Sequence, residues 1–181
     1  MKRFLYVYFS LFLLYFNVFN TTYGQEALIL DEPFAEFRFT DLDGNSIGNS
    51  DLLGQVVVID FWATWCGPCI RSFPAMLTIE DKYHDNKEVR FVFVNTLEIK
   101  GRDKDFIKDF LEKRGFLMQV FLDRPASQGG GFSDKMNIST LPLRLILDKY
   151  GILRYKDFGG SGSEIEMMKD IETKVNGLLK R

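Results

Sequence analysis

Val56-Val-Val-Ile-Asp-Phe-Trp-Ala-Thr-Trp-Cys-Gly-Pro-Cys69 is the stretch on which the reading of this chain turns. From Val56 to Phe61 it is β-branched and almost continuously apolar, as a central strand covered on both faces should be. It runs into Trp62-Ala-Thr-Trp65 and then into the chain's only 2 cysteines, Cys66 and Cys69. Such a pair can be a structural staple, a metal clasp or a redox couple. A tetrahedral metal site wants about four ligands. The 1 histidine, His84, falls at the far end of the helix predicted after the motif and reads as a solvated helix-end residue, so no metal is expected. A staple between residues so close in sequence constrains the unfolded chain only slightly. The redox reading fits best, because a Cys-x-x-Cys is specific when a hydrophobic strand precedes it and a helix follows.

The residue types suit that chemistry. Cys66 at a helix N-terminus meets unpaired backbone amides, which favour a thiolate. Cys69, one turn later, can close a disulfide after Cys66 has attacked. Gly67 opens access to the backbone, and Pro68 is tolerated in a first turn, where its missing donor is not needed. Trp62 and Trp65 are expected to wall the sulfurs. The scheme is exchange: a Cys66 thiolate attacks a substrate disulfide, a mixed disulfide forms, and Cys69 resolves it.

Outward from the motif, a helix is predicted to about Tyr83, with Met76, Leu77, Ile79 and Tyr83 on one face and a kink at Pro74. Val89–Asn95 reads as the next strand. Asp103 caps a helix over Lys104–Arg114 whose apolar face holds Phe106, Ile107, Phe110 and Leu111. Gln119–Leu122 is a short strand, and Ser127–Gly131 a flexible loop before a helical turn with Phe132 and Met136. Leu143–Leu147 and Ile152–Phe158 form an antiparallel pair. The last helix, Ser163–Leu179, carries Ile165, Met168, Ile171, Val175 and Leu178 as its buried face. Upstream, Phe34–Thr40 alternates like a strand, turns through Asp41–Asn45 and returns at Ser46–Ile47. This order implies an α/β fold with a mixed central sheet and helices on both faces.

Composition agrees with one domain. The chain has 181 residues, 46% of them hydrophobic and 27% charged, enough for a sizeable core. A net charge of -2 supplies no basic face for nucleic acid. Lys2 and Arg3 precede an uncharged run from Phe4 to Phe19, and Thr22 and Gly24 offer small residues for a cut. Residues 1–24 therefore read as a secretory signal and residues 25–181 as the domain. The apolar run is shorter than the roughly 20 residues that span a bilayer comfortably. The alternative is an uncleaved membrane anchor over residues 4–19. Both place the chain outside the cytoplasm, in a periplasmic or otherwise extracytoplasmic space, where thiol pairs tend to be oxidised and a reductant needs an electron supply.

Val58-Ile-Asp-Phe-Trp-Ala-Thr-Trp-Cys-Gly-Pro-Cys69 closely resembles the active-site segment of the thioredoxin superfamily, and Ile138-Ser-Thr-Leu-Pro-Leu-Arg-Leu-Ile-Leu-Asp148 resembles its second signature. The resemblance implies a thioredoxin-like three-layer α/β/α sandwich with an N-terminal β-hairpin extension and an insertion within the core. It implies a cis bond at Leu141–Pro142, beside the dithiol, with the Leu141 backbone pairing to an extended substrate segment. It also implies that Asp60 is a buried carboxylate behind Cys69; burial raises such a group's pKa and suits it to accept the Cys69 proton. Signal, hairpin and the extra length between Asn95 and Leu122 are most similar to the extracytoplasmic TlpA/ResA-like branch, which includes cytochrome c maturation factors. Gly67-Pro68 follows general thioredoxins instead, and Ser72 stands where several maturation factors carry glutamate. Residues 143–144 are Leu-Arg where the family commonly has small hydroxyl residues; Arg144 is expected to touch a client or to face solvent.

The functional expectation is a thiol-disulfide oxidoreductase reducing protein disulfides outside the cytoplasm, with Cys66, Cys69 and Asp60 carrying the reaction. Trp65, Gly67, Pro68, Leu141 and Pro142 would form the substrate groove. The partners implied are protein disulfide clients and an upstream membrane thiol donor. No cofactor is expected, since Gly129-Gly-Gly131 lacks the spacing and lysine of a phosphate loop. A dithiol oxidant or isomerase, and a non-enzymatic client-binding module in cytochrome c maturation, are the alternatives. A peroxidase is disfavoured because the Thr-x-x-Cys pattern is missing at Cys66.

Overall fold

A computed structural model describes residues 29–123, 131–159 and 162–181. The predicted signal and most of the Ser127–Gly131 loop lie outside the described residues. In chain order come β1 (Ile29–Pro33), β2 (Arg38–Asp41), β3 (Ser46–Gly48), a short 3-10 helix (Asn49–Leu52), β4 (Val56–Trp62), α1 (Gly67–Lys82) and β5 (Val89–Asn95). Then follow α2 (Lys104–Arg114), β6 (Val120–Leu122), α3 (Phe132–Lys135), β7 (Leu143–Leu147), β8 (Ile152–Phe158) and α4 (Glu164–Leu179). The strands form one 8-stranded sheet in the order β1-β8-β7-β4-β5-β6-β2-β3. β4 lies in the middle, parallel to β5 and antiparallel to β7.

Every residue of β4 is buried, which is why its sequence is apolar without alternation. Alternation returns in what each side chain meets. Val56, Val58 and Trp62 face a core built with Phe73, Met76 and Ile79 of α1, Ile107 and Leu111 of α2, and Ile171, Val175 and Leu178 of α4. Val57, Ile59 and Phe61 face a second core with Phe34, Phe37, Phe39 and Phe132. There Phe61 stacks on Phe132 at 5.7 Å between ring centroids, and Phe37 on Phe39 at 4.6 Å. Three helices cover one face of the sheet. The 3-10 turn, α3 and the phenylalanines of the N-terminal segment cover the other, completing a thioredoxin-like α/β/α sandwich.

Local signals set the helix ends. The Asp103 carboxylate accepts from Phe106 N at 3.1 Å, and Gly115 closes α2 at φ 69°. Ser163 and Glu166 form a reciprocal capping box at the start of α4. α1 continues through Pro74, which stands on its exposed side. Two expectations need correction. The strand β1 was not anticipated; it pairs antiparallel with β8 at the sheet edge. Ile165 is not part of the buried face of α4: it is 64% exposed, because the first turn of α4 precedes the helix's contact with the sheet, while Ile171 and Val175 are fully buried. Trp62 is not exposed, and the core it enters is the one that holds Cys66 and Cys69. As the last residue of β4 it points into the core, edge-on to Phe73 at 5.0 Å.

Candidate active site

The end of β4 delivers the chain to a tight turn. Cys66 N donates to Ala63 O at 3.0 Å, and Cys66 then serves as the N-cap of α1, its Sγ accepting from Cys69 N at 3.3 Å. Cys66 and Cys69 are joined in a disulfide with Cα atoms 5.3 Å apart. Both are buried, Cys69 completely and Cys66 at 2% exposure, so of the two residues only Cys66 keeps any surface toward a reactant. No acidic residue sits in the first turn of α1 to oppose a thiolate there. Gly67 leaves room that another residue uses: a Cβ at that position would lie 3.4 Å from Arg71 Nη1. The arginine thus folds back along the helix toward its N-terminus and adds positive charge beside the turn. Ser72 donates its hydroxyl to Cys69 O at 2.9 Å.

Of the residues expected to form the groove, Trp65, Gly67 and Pro68 belong to the turn itself, and Leu141 and Pro142 lead into β7. Leu141–Pro142 is cis. Leu141 packs against the core that contains Cys66 and Cys69, and Pro142 is buried at the start of β7. Gly67, Pro68 and Trp65 are exposed, Trp65 at 47%. Its indole is not loose: Nε1 donates to Leu97 O at 2.8 Å.

That bond belongs to a brace that sequence reasoning missed. Leu97 adopts φ 52°, and Glu98 turns back to the motif. Its carboxylate accepts from Thr64 N and from Thr64 Oγ, both at 2.8 Å, and from Asn95 Nδ2 at 3.1 Å. Arg102 Nη1 donates to Thr64 Oγ at 2.6 Å. A carboxylate 34 residues from its partner leaves no local trace in the sequence.

Asp60 lies where expected, inside the sheet and 1% exposed, on the face of β4 shared with Val58 and Trp62. Arg144 does not. It neither touches a client nor faces solvent but is 3% exposed and paired with Asp60 across β4 and β7. Arg144 Nε donates to Asp60 Oδ1 at 3.1 Å, and Nη2 stands 3.1 Å from the same oxygen without hydrogen-bonding alignment. Oδ2 accepts no hydrogen bond among the described residues. Burial pushes the Asp60 carboxyl above the usual carboxylate range, and the Arg144 guanidinium pulls back against it.

The sequence profile of the Redoxin family matches residues 30–174. The chain belongs to that family. It is 28% identical over 137 residues to the thiol-disulfide oxidoreductase ResA of Bacillus subtilis (strain 168), covering 75% of this chain and 72% of that protein. Against ResA of Geobacillus kaustophilus (strain HTA426) it is 30% identical, over 69% of this chain and 67% of the relative. A solved Chlorobium tepidum structure described as a thiol:disulfide interchange protein DsbE superposes with a TM-score of 0.67 at 25% identity, over 85% of this chain and 99% of that one. The redoxin is thus a thioredoxin-fold, ResA/TlpA-like thiol-disulfide oxidoreductase of the extracytoplasmic kind, with the Cys66–Cys69 dithiol as its active-site pair.

Proposed function

We propose that this redoxin works as a reductant of protein disulfides, with Cys66 as attacking sulfur, Cys69 as resolving sulfur and Asp60 as the base that takes the Cys69 proton. The observation that supports it is the asymmetry of the pair. Cys66 caps a 16-residue helix and retains an opening, whereas Cys69 has none and shares its core with the face that carries Asp60. A client strand would lie along Leu141, with its disulfide against Cys66 and its flanking side chains on Trp65, Gly67, Pro68 and Pro142. The Cys66 thiolate attacks, one client sulfur leaves as thiolate, and Cys69 then displaces the other as its proton passes to Asp60. Each turnover oxidises the dithiol by two electrons, so a membrane thiol donor must re-reduce it. Residues 1–24 deliver the domain across the membrane as a cleaved signal, with an anchor over residues 4–19 as the alternative; among the described residues no helix is long and apolar enough to cross a membrane.

The reduction potential of the pair tests the direction. A value near roughly -270 mV supports the reductant, and one near about -120 mV makes the redoxin an oxidant instead. Cys69→Ser should accumulate the mixed disulfide with a model client, seen as a mass adduct on Cys66. An adduct on position 66 that forms and clears at wild-type rate would overturn the assignment of the resolving sulfur.

A further inference from the structure

Asp60 and Arg144 begin a longer row of charge. Arg144 stands opposite Asp60 on β4 and, on its other side, opposite Asp157 on β8. Directly opposed residues of neighbouring strands share a face, so the three side chains lie in line. Lys174 of α4 continues the row: its Nζ donates to Asp157 Oδ2 at 2.8 Å and to Asp170 Oδ2 at 2.6 Å. The side chain of Asp60 is 1% exposed and that of Arg144 4%, Asp157 and Lys174 follow at 23% and 8%, and Asp170 ends the row at 54%. Acid and base alternate from the buried strand β4 to the surface.

Among the described residues, the other groups set against Asp60 are neutral or apolar. Its partner on β5 is Phe93, and α1 brings Cys69 and Phe73 to the same core. The charge acting on Asp60 is therefore that of Arg144, whose own burial in an otherwise apolar strand is offset by its pairing with the Asp60 carboxylate. A guanidinium keeps its protons throughout the accessible pH range, so no proton passes along the row beyond Arg144. A proton that Asp60 takes from Cys69 must leave the way it came.

We propose that Arg144, paired with Asp60 and set opposite an Asp157 that Lys174 engages, is a positioning residue that sets the pH at which Asp60 accepts the Cys69 proton. This rests on the base reading of Asp60. In the resolving step the Cys69 S–H bond breaks and an Asp60 O–H bond forms. The Cys69 sulfur bonds to Cys66, and the bond from Cys66 to the client sulfur breaks. The departing client thiolate then takes the proton from Asp60. Client sulfurs gain the two electrons that the cysteines lose.

The experiment follows the resolving phase in the reduced full-length chain with dithionitrobenzoate as the disulfide, reading release of the second chromophore against pH. The wild type shows an acid limb where Asp60 becomes protonated. In Arg144→Gln that limb moves to higher pH by at least about one unit, a tenfold loss of rate at a fixed pH on the limb. In Lys174→Gln, where Asp157 is freed to compete for Arg144, it moves the same way by about two- to threefold. Asp60→Asn abolishes the limb. A limb unmoved in Arg144→Gln but lost in Asp60→Asn overturns the role of Arg144 and leaves the base in place. A limb unmoved in Asp60→Asn as well overturns both. Should Arg144→Gln fail to fold, Lys174→Gln decides, and an unmoved limb there refutes the row.

Discussion

Glu98 shows how much one side chain away from the cysteines can govern them. Its carboxylate ties down both the backbone and the hydroxyl of Thr64, and the neighbouring Leu97 carbonyl holds the Trp65 indole. The residues that lead into Cys66 therefore hang on a loop that follows β5. Glu98 is 11% exposed at its side chain, so removing it leaves the Thr64 and Asn95 donors short of a partner in a mostly dry place. Glu98→Ala should cost about 2 kcal/mol of stability by urea titration, on the scale of lost charge-assisted bonds to buried donors. It should also slow the first, Cys66-dependent chromophore release from dithionitrobenzoate by about tenfold, since the attacking sulfur loses its fixed position. Glu98→Gln keeps one acceptor oxygen and should fall between. An unchanged first phase in the alanine variant would show that the turn is rigid without its brace.

The approach of β8 to β7 makes a sharper demand. Gly159 N donates to Pro142 O at 2.9 Å, and a Cβ on Gly159 would come within 2.6 Å of Pro142 Cγ. Gly159→Ala must push Pro142, a residue of the proposed substrate groove, out of its place. It should destabilise the protein by about 1–3 kcal/mol, as overpacking does. It should raise KM for a protein disulfide while sparing turnover of dithionitrobenzoate, which needs no groove; equal losses on both substrates would place the damage in the dithiol itself. Close approaches of this kind explain what could be read beforehand. Helices α2 and α4 were legible because Asp103, Gly115 and Ser163 act within a few residues of themselves. Strand β4 and the cysteine turn were legible because periodicity and motif agree over one short stretch. Strand β1, the burial of Arg144 and the role of Glu98 depend on partners far along the chain; the Arg144–Asp60 separation is 84 residues. An arginine inside Leu143-Arg-Leu-Ile-Leu147 has no meaning until the strand opposite is known to carry Asp60 at the matching position. Ile165 misled because helical spacing says which side a residue takes and not where the helix meets the sheet.

A carboxylate buried under the active site also marks how the stability of the folded chain depends on pH. Burial holds the folded Asp60 carboxyl above its ordinary value, against the pull of Arg144. Between the two values the native state holds a proton that the unfolded chain has released. Stability therefore falls as pH rises from about 4 through the folded pKa, the reverse of an exposed, salt-bridged aspartate. Asp60→Asn removes that dependence. It also orphans Arg144, which costs stability, but the guanidinium stays charged at every pH used, so that cost is a constant offset. The difference in unfolding free energy, wild type minus Asp60→Asn, isolates Asp60 in its slope. It should decline as pH rises from about 4 through the folded pKa of Asp60, measured by urea midpoints at several pH values from about 2.5 upward in otherwise identical buffers. A difference that stays level would mean that Arg144 holds Asp60 ionised throughout, so that the ion pair outweighs burial and the carboxylate beneath Cys69 has no proton to exchange near neutral pH. A difference that rises with pH below about 4 and is level above it would mean a depressed pKa, and the same pairing would then act to anchor β7 to β4 while the proton of Cys69 goes directly to solvent or client.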